Sequence, residues 1–224
     1  MIKSLNSNSK KFNKELNKFL NLRIKNINLR NSKVFKIVDD VKKNGDKALI
    51  KYEKKFSANS KINISNLDIK KCIKKLDNKV RKSIDLAYNR IIKYHSNQKF
   101  NGFKTKDKLN NKFEYKFFPV EKVGIYVPGG TASYPSTVLM NAIPALLAKV
   151  KKIVMASPFS KGKLNPGVIY AAHKCKIKDI YCIGGAQAIA ALAYGTKKIE
   201  KVNKIVGPGN KFVTAAKKEV FGDV

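Results

Sequence analysis

The spacing of apolar residues changes near residue 120, and this change divides the chain into two parts. In the first part, apolar residues recur every three or four positions among many Lys and Asn residues, which predicts amphipathic helices. One stripe comprises Phe12, Leu16, Phe19 and Leu20, and a second comprises Val34, Ile37, Val38 and Val41. Further helices are expected over 67–76 and 84–95, and Asp46 is expected to be the N-cap of a helix that follows Asn44-Gly45.

Residues 103–118 follow another pattern, because apolar and polar positions alternate around Asn110-Asn111, which predicts a β-hairpin. From Lys122 onward, four short apolar runs, KVGIYV, KKIVMAS, KDIYCI and VNKIV, alternate with helical segments of about 10–15 residues. Ser136 and Thr137 are expected to cap the first of these helices. The runs are apolar on both faces, as in strands that helices cover on both sides. The sequence therefore predicts an α/β fold, a doubly wound parallel sheet preceded by an α-helical region with a hairpin.

Glycine clusters follow three of the predicted strands. Gly129-Gly130 follow the first strand, Gly184-Gly185 the third, and Gly207 and Gly209 the fourth. Open parallel sheets bind ligands where the carboxyl ends of their strands meet, and glycine lets backbone N–H groups approach a ligand. The helix N-termini after these loops attract phosphate, so we expect a nucleotide or anion site. No loop spells GxGxxG, so the pattern leaves open which phosphorylated molecule binds, and the glycines alternatively serve only to turn the chain.

Charge raises a competing interpretation. The 224 residues include 48 Lys and Arg against 15 Asp and Glu, a formal net charge of +33 that would attract nucleic acid. However, lysine is spread along the chain and arginine, which favours phosphate and guanine contacts, is rare. Arginine occurs only at Arg23, Arg30, Arg81 and Arg90. A basic nucleic-acid-binding module is therefore the less favoured alternative, and no specific nucleic-acid partner is expected.

Hydropathy and cysteine usage bear on the compartment. No stretch approaches the roughly 18–20 apolar residues that span a membrane, and the N-terminus lacks the apolar core of a signal peptide. The three cysteines, Cys72, Cys175 and Cys182, do not resemble a disulfide framework. We therefore expect a soluble, cytoplasmic protein with reduced thiols and no membrane partner.

Candidates for catalysis or metal binding are few. His173, Cys175 and Cys182 are soft ligands, but they fall on a predicted helix and an apolar strand without CxxC spacing, so buried thiols are the favoured interpretation. His95 follows a helical apolar stripe and is expected to be a helix histidine. No carboxylate lies in a strand-end glycine loop. The sequence therefore assigns no catalytic residue and no metal ligand within this chain.

Three long motifs carry a resemblance to a known family. GIYVPGGTASYPSTVLMNAIPA, GGAQAIAALAYGT and KIVGPGNKFV together resemble histidinol dehydrogenase, as do VKKNGDKAL and IKYHSNQ nearer the N-terminus. The resemblance implies a fold of the histidinol and aldehyde dehydrogenase type, with residues 1–120 as part of an incomplete helical domain and 121–224 as a Rossmann-like domain. It also implies a zinc-containing enzyme that uses NAD to oxidise L-histidinol, through the aldehyde, to L-histidine in two hydride transfers.

The resemblance implies that Tyr126, Gln187 and Asn210 contact NAD, because they match the family's tyrosine, glutamine and asparagine in YVPGG, GGAQAIAA and GPGN. The loop glycines Gly129, Gly130 and Gly209 are expected to line the same cofactor site. Each of the three polar residues also has a structural alternative. These alternatives are a core tyrosine with a bonded hydroxyl, a glutamine at a helix start and a turn asparagine.

The chain ends at KKEVFGDV, where a member of the family would continue for about as many residues again. The family's general-base Glu-His pair and its zinc ligands, Gln, His, Asp and His, belong to that further part. We therefore expect a truncated or split histidinol dehydrogenase that is inactive alone and pairs as a homodimer or with a complementing C-terminal half. A non-catalytic nucleotide-binding protein is the main alternative.

Overall fold

The structure is a computed structural model that describes residues 5, 7–28, 32–59, 61–98, 101–129, 134–158 and 165–224, with backbone only for 21–28 and 32. The elements of the first part are α1 (Phe12–Asn28), α2 (Ser32–Asn44), α3 (Asp46–Ser57), α4 (Asn66–Lys74), α5 (Asn78–His95), β1 (Phe103–Lys106) and β2 (Lys112–Tyr115). Those of the second part are β3 (Lys122–Tyr126), α6 (Pro135–Leu147), β4 (Lys152–Ala156), α7 (Pro166–Lys174), β5 (Asp179–Tyr181), α8 (Gly185–Tyr194), β6 (Lys204–Val206) and α9 (Lys211–Glu219).

The four strands β3 to β6 form one parallel sheet in the order β5-β4-β3-β6. In the sheet register, Ile125 of β3 pairs with Met155 of β4 on one side and with Val206 of β6 on the other. The α/β prediction and all four predicted strands are confirmed. Continuous apolar runs identified these strands because the sheet is buried on both faces.

Successive strand residues point to opposite faces of this sheet, and each face has its own core. One core contains the strand residues Val123, Ile125, Val127, Ile153, Met155 and Ile180 and packs against α4, α5, α6 and α7. The other contains Tyr126, Val154, Ala156, Tyr181 and Ile183 and packs against α2, α3, α8 and α9. The sheet is therefore doubly wound, as predicted.

Helices of the first part complete both helical layers. Val34, Val38 and Val41 of the second predicted stripe are buried against α8, whereas Phe19 and Leu20 of the α1 stripe remain 46% and 42% exposed. Residues 61–63 also run beside the outer strand β5, where the Cys182 N–H donates to the Ile62 carbonyl. The division into domains at residue 120 stays a prediction. The helices of the first part share their cores with the sheet.

Two predicted helix caps are wrong. Gly45 is the N-cap of α3, with φ of 54°, and Asp46 is the first residue of the helix. Helix α6 is preceded by Tyr134 and has Pro135 in its first turn, so Ser136 and Thr137 lie inside the helix. In both cases the residue with special backbone geometry, glycine at positive φ or proline at the first turn, decided where the helix starts.

The hairpin is confirmed, with Phe103 of β1 paired to Tyr115 of β2 and Asn110 at positive φ in the turn. Both strands are exposed along their whole length. Large apolar side chains are exposed on the hairpin and the segment after it, namely Phe103, Leu109, Phe113, Tyr115, Phe117, Phe118 and Val120. The hairpin therefore presents apolar surface that nothing in the described part of the chain covers.

Candidate functional site

The site predicted from the glycine loops lies where the direction of the chain across the sheet reverses. From β3 the chain moves through β4 to the edge strand β5, and then returns through α8 to β6 on the other side of β3. Strands β3 and β6 are therefore neighbours whose outgoing connections diverge, which is the switch point where open α/β sheets bind ligands. The loops at this point carry Gly129 and Gly209, and both glycines are exposed. Gly130 lies outside the described residues.

The glycines at this edge also pack closely against protein atoms. A Cβ at Gly129 or at Gly184 would lie 2.6 Å from side-chain carbons of Pro158, which sits between the loops after β3 and β5. A Cβ at Gly209 would overlap the side chain of Val213 in the first turn of α9. The absence of side chains is therefore needed for the fold itself, whatever ligand these loops bind.

Tyr126 ends β3 with its ring in the core and only 3% of its surface exposed. Its hydroxyl accepts a hydrogen bond of 3.1 Å from the Gly185 N–H, in the first turn of α8. Burial raises the pKa of this hydroxyl, the Gly185 hydrogen bond lowers it, and the nearby Glu53 carboxylate raises it further. Tyr126 thus joins the end of β3 to the start of α8.

Gln187 lies in the first turn of α8 and is 2% exposed. Its side-chain nitrogen donates to Glu53 Oε1 at 2.8 Å, and the same oxygen accepts the Gly184 N–H at 2.9 Å. Glu53 comes from α3, in the first part of the chain, and is 1% exposed. The structure therefore brings together Tyr126 and Gln187, which the sequence predicted, and Glu53, which the sequence pattern did not identify.

Glu53 is a buried acid without a cationic partner among the hydrogen bonds and ion pairs described for it. Burial raises the pKa of its carboxyl, while hydrogen bonding with Gly184, Gln187 and Ser57 partly opposes this effect. Its second oxygen, Oε2, is buried and makes no hydrogen bond of normal geometry to the described residues. A signal was present in the sequence, because Glu53 lies four residues after Leu49 on the buried face of α3.

Asn210 has a different environment, since it is exposed beside the loop that follows β6. Its side-chain oxygen accepts from the backbone N–H groups of Phe212 and Val213 and caps α9. The ammonium of Lys217, on the same helix, donates to the Gly207 carbonyl at 2.5 Å, and burial lowers the pKa of this lysine. The loop after β6 thus combines an exposed amide and a cation at the switch point.

The remaining candidates lie elsewhere in the fold. Burial raises the pKa of the Cys175 and Cys182 thiols to about 12, so both residues serve as core side chains. His173 is exposed on α7, and His95 Nδ1 contacts Gln98 Oε1 at 2.7 Å at the end of α5. No group of three or more His, Cys, Asp or Glu side chains suited to a metal ion occurs among the described residues.

The opposite, amino-terminal edge of the sheet carries an ion-pair cluster. Glu200 contacts Lys122 at 2.8 Å and Lys152 at 2.6 Å, and Lys152 also contacts Asp179 at 3.2 Å. Hydrogen bonding to Lys122 and then Lys152 lowers the pKa of Glu200 to about 2. Two surface depressions lie around Asp179 at this edge, away from the glycine loops. The cluster joins the starts of three strands and is separate from the predicted cofactor site.

Comparison with known proteins gives the family. A model of the family "Histidinol dehydrogenase" matches residues 22–224. The chain is 61% identical over 224 residues to histidinol dehydrogenase of Pelagibacter ubique, covering all of this chain and 52% of that protein. It is 46% identical over 195 residues to the enzyme of Prochlorococcus marinus, covering 86% of this chain and 46% of that protein.

A solved structure supports the same assignment. The crystal structure of histidinol dehydrogenase from Elizabethkingia anophelis superposes with a TM-score of 0.82 and 39% identity, over 86% of this chain and 45% of that one. The chain thus spans about half the length of the relatives that it matches. Within the described residues, no helix is both long and apolar enough to cross a membrane. By its sequence and by its fold, the chain belongs to the histidinol dehydrogenase family.

Proposed function

We propose that this chain is the nucleotide-binding part of a histidinol dehydrogenase, which oxidises L-histidinol through the aldehyde to L-histidine with NAD as hydride acceptor. One observation carries the proposal. The switch point between β3 and β6 brings the loop of Gly129 and the loop of Gly207 and Gly209 to one edge, in a chain of this family. Family membership does not favour a non-catalytic nucleotide-binding protein or a basic nucleic-acid-binding module.

The residues at this edge fit a dinucleotide. Asn210 offers an exposed amide, the loop glycines Gly129 and Gly209 offer exposed backbone, and Lys217 adds positive charge beside the loop after β6. Tyr126 ends β3 and bonds to Gly185 at the start of α8, and Gln187 lies in the first turn of that helix. Gly130, in the same loop as Gly129, is proposed to take part by analogy with the family motif. When bound, NAD supplies the acceptor for hydride from the alcohol and then from the aldehyde.

The role of this chain in the reaction is to bind and orient the cofactor. The first N–H groups of α8 are already occupied, Gly184 by Glu53 and Gly185 by Tyr126. The cofactor phosphates are proposed to approach the loop after β6, where the exposed backbone of Gly209 and the ammonium of Lys217 lie. No described residue at this edge is an exposed base, so the alcohol proton is proposed to pass to a group outside this chain.

Zinc and the general base are proposed to come from the part of the family's proteins that this chain does not match. The described residues do not fit zinc, because they contain no cluster of three or more metal-ligating side chains. Exposed aromatic side chains of the hairpin and of the segment after it, such as Phe118 at 81%, agree with a larger protein that covers them. The covering partner is proposed to be that remaining part, within a homodimer or as a complementing half.

The test measures NADH formation from L-histidinol. The 224-residue chain is assayed alone with added zinc, and again after co-expression with the segment of the Pelagibacter ubique enzyme that this chain does not match. We expect no NADH from the chain alone, because its described residues offer no metal-ligand cluster and no exposed base at the sheet edge, and we expect turnover from the co-expressed pair. Co-expression with the Asn210→Ala variant provides the control and should give lower turnover at limiting NAD.

Two results would overturn the proposal. Turnover by the isolated chain would place the base within these residues. A folded, associated pair that forms no NADH at any NAD concentration would show that the chain does not serve histidinol oxidation.

A further inference from the structure

The buried carboxylate of Glu53 lies beneath the predicted cofactor site, although Glu53 is outside the motifs that carry the family resemblance. Glu53 lies on α3, more than a hundred residues from Gln187 in sequence, yet its Oε1 accepts hydrogen bonds from both the Gly184 N–H and the Gln187 side chain. Both donors belong to the turn that begins α8. A single oxygen atom therefore connects the helical region to the start of the helix that carries Gln187.

The orientation of the Gln187 amide follows from this contact. Because Glu53 Oε1 acts as an acceptor, the amide nitrogen must face it, and the amide oxygen turns toward Gly185. A Cβ at Gly185 would lie 2.9 Å from that oxygen, so the glycine leaves room for it. Without Glu53, either end of the amide would suit the turn, and the buried side chain would lose its fixed direction.

The charge of Glu53 also fills a place that phosphate would otherwise take. A helix N-terminus attracts anions through its free N–H groups and its dipole. At α8 the Gly184 N–H already donates to the carboxylate, and the Gly185 N–H donates to the Tyr126 hydroxyl. Two of the N–H groups at the start of α8 are thus satisfied from inside the protein and are not free for an anion.

We propose that Glu53 is a positioning residue of the NAD site, which fixes the Gln187 amide and the Gly184-Gly185 turn in the orientation that the cofactor requires. The inference rests on the proposed function, because it assumes that NAD contacts Gln187. Glu53 itself is buried and is not proposed to touch the cofactor.

Two variants separate geometry from charge. Glu53→Asp keeps the carboxylate but shortens the side chain by one methylene group, so it cannot reach both donors. Glu53→Gln keeps the length and an acceptor oxygen but removes the charge. If Glu53 acts by positioning, Glu53→Asp weakens NAD binding about five- to tenfold, as expected when a hydrogen-bonded contact is lost, and Glu53→Gln stays closer to the wild type. The opposite ranking of these variants would overturn the proposal.

A double-mutant cycle shows whether Glu53 acts through Gln187. Dissociation constants for NAD are measured by calorimetric titration on the 224-residue chain for Glu53→Asp, Gln187→Ala and the double variant. Positioning through Gln187 predicts that the double variant loses less affinity than the product of the two single losses, because without the Gln187 amide Glu53 has only the Gly184-Gly185 turn left to orient. Losses that multiply would overturn the inference and leave the proposed NAD site intact.

A measurement without ligand separates the two hypotheses. Amide hydrogen exchange at Gly184 and the side-chain amide NMR signals of Gln187 are compared between the wild type and the Glu53 variants. Faster exchange and an altered Gln187 signal in Glu53→Asp support positioning even if NAD fails to bind, in which case only the proposed function is lost. Unchanged exchange and an unchanged signal would contradict the inference directly.

Discussion

Gly207, at the end of β6, packs so closely on the backbone of Tyr126, at the end of β3, that an added Cβ would overlap the Tyr126 carbonyl oxygen. Gly207 also has φ of 103°, a conformation that other residues rarely adopt. The two strands that border the proposed cofactor site therefore meet through a glycine. Any side chain at this position would separate their ends.

Gly207→Ala is predicted to lower the free energy of unfolding by about 3 kcal/mol or more, since it adds a steric clash to an unfavourable φ. Gly222→Ala is the matched control, because Gly222 has φ of 97° but nothing within 4 Å of the added Cβ. The control should lose only about 1 kcal/mol, the cost of the backbone conformation. Urea unfolding measures both, and equal losses would show that the contact with Tyr126 is not the cause.

The sequence predicted those elements of the fold that are buried on both faces or that bury apolar residues at a regular spacing. The strands β3 to β6 and the helix α2 were identified because their apolar residues face a core directly. The N-cap of α3 was predicted wrongly. Asp46 is of a residue type that caps helices, but the positive φ of Gly45 sets the helix start. Local composition cannot show which of two adjacent residues adopts a special backbone conformation.

The motif residues of the cofactor site stay a prediction, and the structure shows how they are held. The motifs identified Tyr126, Gln187 and Asn210, but not that Tyr126 and Gln187 are buried and bonded within the protein. Glu53 escaped because its partners are more than a hundred residues away, and an acid on a Lys-rich helix looks like a surface residue. The four-residue spacing from Leu49 indicates that Glu53 is buried, but its hydrogen-bond partners depend on tertiary packing and cannot be found from local sequence.

The raised pKa of Glu53 makes stability depend on pH. An acid with a higher pKa in the folded protein binds more protons when folded, so stability falls as pH rises above its unfolded value of 4.5. Tyr126 and Cys182, the titratable groups facing Glu53, have raised pKa values and stay neutral through this range. The Glu53→Gln variant lacks the titrating carboxyl of Glu53. Its free energy of unfolding relative to that of the wild type should therefore increase from about pH 4.5 upward.

Urea unfolding of both proteins from about pH 4 to pH 8 measures the stability of Glu53→Gln relative to the wild type, which should be lowest at the acidic end. A difference that is constant with pH would show that Glu53 does not titrate abnormally. A stability difference that decreases with rising pH would mean that the folded protein favours the charged carboxylate of Glu53 over its protonated form.

The net charge of +33 is predicted to make added salt stabilising. The described ion pairs are largely exposed, such as Lys43–Asp39 and Lys104–Glu114, and contribute little, whereas repulsion among unpaired lysines acts on the whole chain. Raising the ionic strength from about 0.01 M to about 0.15 M shortens the screening length from roughly 30 Å to roughly 8 Å. The Tm should therefore rise with salt, and a fall in Tm would show that attractive pairs outweigh repulsion.

Calorimetric titration of NAD into the 224-residue chain tests the central claim most directly, with two asparagine variants that each lose a helix N-cap. Asn210 caps α9 at the β3–β6 switch point, and Asn165 caps α7, which packs on the other face of the sheet. If NAD occupies the switch point, Asn210→Ala raises the Kd about fivefold or more and Asn165→Ala changes it less than about twofold. No binding by the wild-type chain, or equal effects of the two variants, would contradict the assignment of this edge as the cofactor site.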